Sequence, residues 1–456
     1  MIVEMHPDRE LRMPPRTACF RRRPLFTELS LLDVAAAVAG HERPVALFGV
    51  WAGGGAIVAS QPLGCLPADC DPFGALTQLP VVGGGPADGV GGGWFGYLGY
   101  QLGRRLERVP APPGEVPRGS DFDLGFYDSV LRYDAGEQRW WFECLWTEER
   151  AEALERRYHE VVALLAGPAS PAPRGVAGTF RSPSGDDAHL RGIERAIAHI
   201  HAGDVFQVNL CMRLEAEWSG PAWGAFDCAA ARLRPPYAAF LGLRDSAAIC
   251  LSPELFLRRS GRMVETRPIK GTCARDADPV LAEAQRRRLL SSEKNRAENV
   301  MIVDLMRNDL GRVCRPGSIT VPDLVVAEPH PGIWHLVSRV RGELEPGASD
   351  ADLLRACFPA GSITGAPKIR SMQLINELER SPRILYTGAI GYASPIAGLE
   401  LNVAIRTFEI RNGKIGLGVG GGIVSDSDPR SELAECYQKA SALISALGAA
   451  VEVSAS

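Results

Sequence analysis

The longest regular pattern of apolar positions follows a stretch rich in proline, glycine and serine. From residue 187 onward, apolar side chains recur every three or four positions, as on one face of a helix. These positions are Leu190, Ile193, Ile197 and Ile200. Asp186 or Asp187 is the predicted N-cap, and Gly203 is the predicted stop. The pattern therefore predicts a helix that opens the second part of the chain.

Short apolar runs and helical patterns alternate irregularly along the rest of the chain. Upstream, the predicted strands are 45–47, 56–59, 124–133 and 140–145, followed by a helix over 148–165. Downstream, the predicted strands are 238–243, 248–251, 389–392 and 415–419, and the predicted helices are 279–290, 292–306, 351–356, 369–378 and 430–447. This mixture indicates an α+β or mixed α/β sandwich of large sheets covered by helices.

The chain of 456 residues exceeds the size that one hydrophobic core usually serves, which is about 250 to 300 residues. We predict an N-terminal region at 1–165, a connector at 166–187 and a catalytic domain at 188–456. A net charge of -4 disfavours nucleic acid as a partner. No run of 18 apolar residues or apolar leader is present, so we expect no membrane association and a cytoplasmic location. The 11 scattered cysteines are expected to be reduced thiols.

Lysine is scarce, and this draws attention to Lys270. Of 50 lysines and arginines, five are lysines: Lys270, Lys294, Lys368, Lys414 and Lys439. Lysine can lose its proton when it is desolvated and then act as a nucleophile, whereas arginine stays charged. Lys270 lies between Pro268-Ile269 and Gly271-Thr272, so a solvent-exposed turn lysine is the alternative.

Two predicted helices carry acids at unusual positions. Glu298 lies at the helical spacing of Met301, Ile302 and Leu305, on the apolar face of its helix. A buried carboxylate needs a cation or a metal, so Glu298 is a candidate metal ligand. A local ion pair with Lys294 or Arg296 is the alternative.

In the last helix Glu432, Glu435 and Lys439 share one face. A solvated Glu435–Lys439 pair would explain two of the three residues. The helix, however, directly follows the glycine-rich segment 418–424, and a second such segment at 361–368 precedes another helix. Backbone amides at such turns can bind an anion. With Arg406, these features indicate a pocket for a small di- or polycarboxylate held through Mg²⁺.

At these residues the chain resembles the chorismate-utilising enzymes. The matching stretches are DVFQVNL from Asp204, SPEL from Ser252, PIKGT from Pro268, KNRAENVMIVDLMRNDLGRV from Lys294, FPAGSITGAPK from Phe358, GAIGY from Gly388, IRT from Ile405 and GGGIV from Gly420. The resemblance implies two large, mostly antiparallel sheets packed together with helices outside. It is strongest from Asp204 to Gly448.

The resemblance also implies roles for single residues. Lys270 would add to ring C2 of chorismate and expel the C4 hydroxyl, with Glu254 as the general acid. Ammonia would then attack C4 and give 4-amino-4-deoxychorismate, a precursor of p-aminobenzoate, which serves folate biosynthesis or specialised aromatic-amine pathways. Glu298, Glu435 and Glu432 are the implied magnesium ligands. The implied substrate contacts are Gln207, Thr272, His335, Thr364, Gly365, Tyr392, Arg406, Gly420, Gly421 and Lys439.

Lys270 decides between branches of the family, because enzymes that form anthranilate typically carry alanine at this position. Gln207 stands where the relatives that use water as the nucleophile carry a lysine. No glutaminase motif is present in the sequence, so we expect the chain to take ammonia from a separate glutamine amidotransferase. The alternatives are an anthranilate-forming enzyme of the same family and a weakly catalytic chorismate-binding docking subunit.

Overall fold

The structure is a computed structural model that describes residues 15–83, 88–112, 114, 116, 121–168 and 175–452. Part of the predicted connector, residues 169–174, lies outside the described residues. No helix within the described ranges is both long and apolar enough to cross a membrane.

The strands are as follows. They are β1 (Thr17–Leu25), β2 (Val45–Gly49), β3 (Gly55–Ala59), β4 (Gly64–Cys65), β5 (Val81–Gly83), β6 (Gly93–Leu98), β7 (Phe122–Tyr127), β8 (Ser129–Asp134), β9 (Arg139–Trp146), β10 (Val176–Ala177), β11 (Gln207–Ser219), β12 (Tyr237–Gly242), β13 (Ser246–Ser252), β14 (Leu255–Ser260), β15 (Met263–Arg267), β16 (Ile269–Ala274), β17 (Thr320–His330), β18 (Ile333–Glu343), β19 (Gly365–Ala366), β20 (Ala389–Ser394), β21 (Gly398–Val403), β22 (Thr407–Arg411) and β23 (Lys414–Ile423).

The helices are α1 (Leu31–Val38), α2 (Pro72–Ala75), α3 (Gly103–Leu106), α4 (Ala151–Leu165), α5 (Asp186–His201), α6 (Ala222–Leu233), α7 (Pro279–Leu290), α8 (Glu293–Gly311), α9 (Asp350–Cys357), α10 (Lys368–Leu378) and α11 (Pro429–Ala446). Short 3₁₀ turns cover Trp51–Gly53, Tyr100–Leu102, Glu148–Arg150 and Gly361–Ile363.

Over the described residues the strands form two large sheets. The first has the order β10-β11-β23-β22-β13-β12-β2-β3-β8-β9-β1-β5, and β19 pairs with β11. The second has the order β16-β18-β15-β14-β21-β20-β6-β7-β4, and β17 pairs with β18. Both sheets combine strands from either side of the connector. The paired strands are antiparallel apart from β1 and β5.

The two sheets pack face to face, and helices cover their outer faces. In β2, Val45 and Leu47 pack in a core that includes residues from both sheets. Ala46 and Phe48, which point the other way, pack beneath helices that include α1 and α6. Because such a strand is buried on both faces, its sequence is a continuous run of apolar residues. The predicted sandwich of mostly antiparallel sheets with helices outside is confirmed.

Two local predictions were wrong. The predicted strand 124–133 is two strands that meet at Asp128, whose buried carboxylate accepts a hydrogen bond from Arg150 Nε at 2.8 Å. The N-cap of α5 is Gly185, which has a φ of 72°. Asp186 instead lies in the first turn and accepts a hydrogen bond from Tyr437 Oη at 2.6 Å, which ties α5 to α11.

Candidate active site

Strand pairing brings three separate motifs to one end of the first sheet. The start of β11 pairs with β19 on one side and with the end of β23 on the other. Gln207 lies opposite Ala366, and Asn209 lies opposite Gly422. The β22–β23 pairing ends at Leu417, so beyond that point β11 is the one strand paired with β23 in the described part of the chain. Alternate backbone amides near Gly420 and Gly421 are therefore free of a second strand.

Lys270 lies on β16 and points toward this sheet end. A Cβ atom added at Gly422 would lie 3.5 Å from Lys270 Nζ. Desolvation lowers the pKa of the amine, whereas the negative charges of Glu298 and Glu254 raise it. Across the described residues, Nζ takes part in no hydrogen bond or ion pair. Because the amine is desolvated and its pKa is lowered, Lys270 is not the solvent-exposed turn lysine that the sequence also allowed.

Glu254 lies between β13 and β14 and is 4% exposed. Burial raises the pKa of its carboxyl group from 4.5 to about 7, although Ser362, Lys270 and Arg406 each favour the ionised form. A carboxyl group that is half protonated near neutral pH can donate a proton to a leaving oxygen. Sequence reasoning missed Ser362, whose buried hydroxyl lies beside the Glu254 carboxyl group and favours its ionised form. Its position in the GSITG segment was the feature of the sequence that could have revealed it as a site residue.

Three glutamates from α8 and α11 approach one another beside Lys270. Burial raises the pKa of Glu298, and the charges of Glu432 and Glu435 raise it further against the opposing effects of Lys270 and Lys294. Glu432 is buried and accepts a hydrogen bond from Ser427 Oγ at 2.6 Å. Lys294 Nζ lies 4.0 Å from Glu432. The alternative of a local ion pair between Glu298 and Lys294 or Arg296 is not formed in the described part of the chain.

Glu435 forms the i,i+4 ion pair that the sequence also allowed. Its carboxylate lies 2.8 Å from Lys439 Nζ, which also donates to the Gly420 carbonyl at 3.0 Å. Burial opposes ionisation of Glu435 and is the largest single effect, but the charge and hydrogen bond of Lys439 and the charges of Lys294 and Lys270 together outweigh it, so the pKa of Glu435 is lowered. Lys439 thus joins α11 to the glycine-rich end of β23.

The chemistry of these residues suits a hard divalent cation, although their carboxylates are not gathered around a common point. The Glu298 carboxylate has no hydrogen bond or ion pair within the described ranges, and it is desolvated beside two other carboxylates. Oxygen donors of this kind suit Mg²⁺. The oxygens of Glu298, Glu432 and Glu435 do not converge to within 4.8 Å of one another. In the described chain, the acids that do so are Asp88, Asp134 and Glu137, which lie elsewhere on the surface.

Arg406 lies near Glu254, and His335 lies near Arg406. Desolvation lowers the pKa of Arg406, while Glu254 raises it, and its guanidinium has no ion pair among the described residues. Burial lowers the pKa of His335 to about 3, with Arg406 and His330 adding to the effect, so the imidazole is neutral. Thr272 Oγ1 lies 2.8 Å from His335 Nδ1 across the β16–β18 pair. A half-buried arginine without an ion pair, beside a neutral histidine, is suited to bind a carboxylate.

The 361–365 turn is held against β11 by an ion pair that sequence reasoning also missed. Arg383 is buried and paired with Glu379, and it donates to the carbonyls of Ile363 at 2.9 Å and Asn209 at 2.7 Å. The Thr364 carbonyl accepts from the Asn209 amide at 2.8 Å. This network positions the turn.

Gly365 completes the contact between the turn and β11. It has a φ of 138°, and a Cβ atom there would lie 2.2 Å from the Gln207 carbonyl oxygen. Only glycine fits this approach.

Tyr392 is the predicted site residue that the structure does not bring to this cluster. Its ring packs between the sheets against Trp51 and Phe95. Its hydroxyl donates to Glu400 at 2.9 Å, and the residue is 1% exposed. The predicted contact with substrate is corrected to a role in the sandwich core.

Comparison with known proteins identifies the family of this chain. A family model described as chorismate binding enzyme matches residues 70–445. Aminodeoxychorismate synthase component 1 of Klebsiella aerogenes is 42% identical over 360 residues, which are 77% of this chain and 76% of the relative. The protein of the same name from Salmonella typhimurium is 40% identical over 359 residues, again 77% and 76%.

A solved structure is also similar over nearly the whole chain. Anthranilate synthase component I from Streptococcus pneumoniae has a TM-score of 0.74 and 28% identity, and the match covers 97% of this chain and 94% of that one. The family match spans well over half of the sequence and includes every motif that supplies a residue to the site. The chain belongs to the family of chorismate-binding enzymes.

Proposed function

We propose that the protein is the chorismate-aminating component that converts chorismate and ammonia to 4-amino-4-deoxychorismate. The observation that carries this proposal is the free, desolvated amine of Lys270 beside a carboxyl group whose pKa is raised to about 7. An amine of this kind is suited to form a covalent bond with the ring, and the carboxyl group is suited to protonate the group that leaves.

Lys270 and Glu254 together account for the bonds that form and break in the reaction and for its proton transfers. The neutral Lys270 amine forms a bond to ring C2, both conjugated ring double bonds shift by one position, and the C4–oxygen bond breaks as Glu254 gives its proton, so that water leaves. Ammonia then forms a bond to C4, the C2–nitrogen bond breaks, and the electron pair returns to Lys270. The new ammonium group gives a proton to the Glu254 carboxylate, which restores both residues.

Substrate binding would use the charges that lack partners. Arg406 has no ion pair among the described residues, so it can take one carboxylate of chorismate. Glu298, Glu432 and Glu435 would hold Mg²⁺, with Glu435 turning away from Lys439. The metal would neutralise the ring carboxylate and polarise the ring. A dianionic substrate and a divalent cation enter together without changing the net charge of the site, which limits the cost of burying each.

The ammonia source is proposed to be a separate glutamine amidotransferase. Two observations support this: no glutaminase motif occurs in the sequence, and the two relatives described above are named as component 1 of their enzymes. Free ammonium at high concentration should replace the partner.

The second candidate is anthranilate formation, because the similar solved structure is an anthranilate synthase component. One assay separates the two functions. Purified protein with chorismate, Mg²⁺ and ammonium should accumulate an aminated product that a following lyase converts to p-aminobenzoate. Release of pyruvate and anthranilate without any added lyase would contradict the proposal.

A further inference from the structure

Lys368 is one of the five lysines of a chain that otherwise uses arginine, and it has no part in the proposed reaction. It is the first residue of α10, and its side chain is 11% exposed. Its ammonium group donates to Asp309 Oδ2 at 2.6 Å and to the Cys357 carbonyl at 2.7 Å. Asp309 is buried near the end of α8, and Cys357 is the last residue of α9. One enclosed ammonium group therefore joins three helices.

The surroundings of this ammonium group favour lysine over arginine. The Cys357 carbonyl is among the last carbonyls of α9, which have no partner within the helix, and the C-terminus of a helix attracts a positive charge. An ammonium group is a compact charge with three N–H donors, whereas a guanidinium group is planar and holds its donors in a fixed fork. Burial raises the pKa of Asp309 against the opposing effect of Lys368. Because a buried pair of this kind adds little stability in itself, its position in the fold is informative.

The ion pair closes the segment that carries the turn of the site. Residues 358–367 connect the end of α9 to the start of α10, and the bond between Lys368 and the Cys357 carbonyl joins the two ends of this segment. The turn in the middle packs on α8, because a Cβ atom at Gly361 would lie 2.7 Å from Leu305 Cδ2. The segment is therefore held to α8 both at its base and in its middle.

We propose that Lys368 is a positioning residue that fixes the distance between two substrate-binding parts of the site. This inference rests on the proposed function. One part is the 361–365 turn, which is expected to contact chorismate. The other is Glu298, which α8 carries about 16 Å from Asp309 along the helix axis. Because a helix of this length curves only gently, the ion pair sets the place of the turn relative to Glu298.

The catalytic groups do not depend on this segment for their own positions. Lys270 lies on β16, and Glu254 lies between β13 and β14, so neither belongs to residues 358–367. The Arg383–Glu379 pair holds the same turn against β11, so the two buried pairs fix the turn in different directions. A turn released from α8 should therefore weaken the binding of chorismate more than it slows the chemical steps.

The test removes the whole ion pair from the full-length protein, since removal of one partner would leave an unpaired buried charge. Lys368→Met/Asp309→Asn should raise the KM for chorismate by about 10- to 100-fold and change kcat much less. Arg259→Met/Asp350→Asn is the matched control. That pair also involves α9, with Arg259 Nη2 2.7 Å from Asp350 Oδ2, but it ties the start of this helix to β14. The control should keep the wild-type KM.

A folded Lys368→Met/Asp309→Asn protein with the wild-type KM would overturn the proposal. An equal rise in the control would also overturn it, because it would show a general loss of rigidity. If the double variant does not fold, Gly361→Ala provides a second test, because the added Cβ pushes the turn away from Leu305 without removing a charge. It should raise the KM for chorismate as well, and an unchanged KM would again contradict the positioning role.

The assay follows the loss of chorismate, so the KM does not depend on which product forms. A wild-type protein that does not consume chorismate would contradict the proposed function. The affinity for chorismate, measured by calorimetry, would then decide the role of Lys368. It should fall in Lys368→Met/Asp309→Asn and not in the control, and equal affinities would overturn the positioning role.

Discussion

At the scale of single residues, burial gives the site its chemistry. Glu254 is an ordinary glutamate by sequence, and desolvation alone moves its pKa into the range where it can give and take a proton. The same effect lowers the pKa of Lys270. The pKa of Glu254 is raised and the pKa of Lys270 is lowered. Both shifts favour the uncharged form of the group, that is, a neutral acid beside a neutral amine.

Replacement of Glu254 tests this effect through stability and through rate. Its pKa is raised from 4.5 to about 7 in the folded state, so the folded protein binds the extra proton. Stability is therefore lost as the pH rises from about 4.5 through 7, by about 3 kcal/mol in total. Glu254→Gln should remove this loss and unfold at higher denaturant concentration than the wild type at pH 8, with equal stability at pH 4.

The same variant should lose activity. With no proton to donate to the leaving hydroxyl, kcat should fall by about 10²- to 10⁴-fold. The wild-type rate should decline above pH 7 as Glu254 ionises, and the variant should lack that decline. Urea titrations and pH–rate profiles of both proteins provide the measurement. A wild-type rate that is flat from pH 6 to 9 would exclude Glu254 as the acid.

At the scale of elements, the sequence predicted the helices well but predicted less well which contacts individual side chains make. The helical period placed Glu298 on the apolar face of α8, and in the structure it is half-buried and close enough to Lys270 to raise the pKa of the amine. The i,i+4 spacing of Glu435 and Lys439 allowed either an ion pair or a metal site, because both use the same face of α11. The motif match also did not show on which face of its strand Tyr392 lies. Successive side chains of a strand point to opposite faces, and the sequence does not say which face meets the substrate.

The metal-binding role of α8 and α11 can be tested on one helix. Glu298→Gln should raise the Mg²⁺ concentration needed for half-maximal activity by ~10- to 100-fold, because one charged oxygen donor is lost. Asp304→Asn is the matched control, since Asp304 lies on the exposed side of α8 and pairs with Arg307. Its Mg²⁺ titration should match the wild type. Equal titrations for both variants would remove Glu298 from the metal site.

At the scale of the whole molecule, the site exists because distant segments meet at one end of the sandwich. Gln207 at the start of β11, Lys270 on β16 and Gly422 at the end of β23 are far apart in the chain and adjacent in the fold. The motifs could be recognised in the sequence one by one. Their adjacency, and the ion pair of Arg383 that holds the turn, depend on long-range pairing that no local pattern encodes.

The covalent bond between Lys270 and the ring is the claim on which the account depends. Wild-type protein should be mixed with chorismate and Mg²⁺ without ammonium and quenched rapidly. The mass of the intact protein should then be measured by mass spectrometry. We predict a mass increase equal to chorismate minus one water, located to the peptide that contains Lys270, and no increase in Lys270→Ala. An adduct that persists in Lys270→Ala, or its absence from a wild-type protein that aminates chorismate once ammonium is added, would contradict the account.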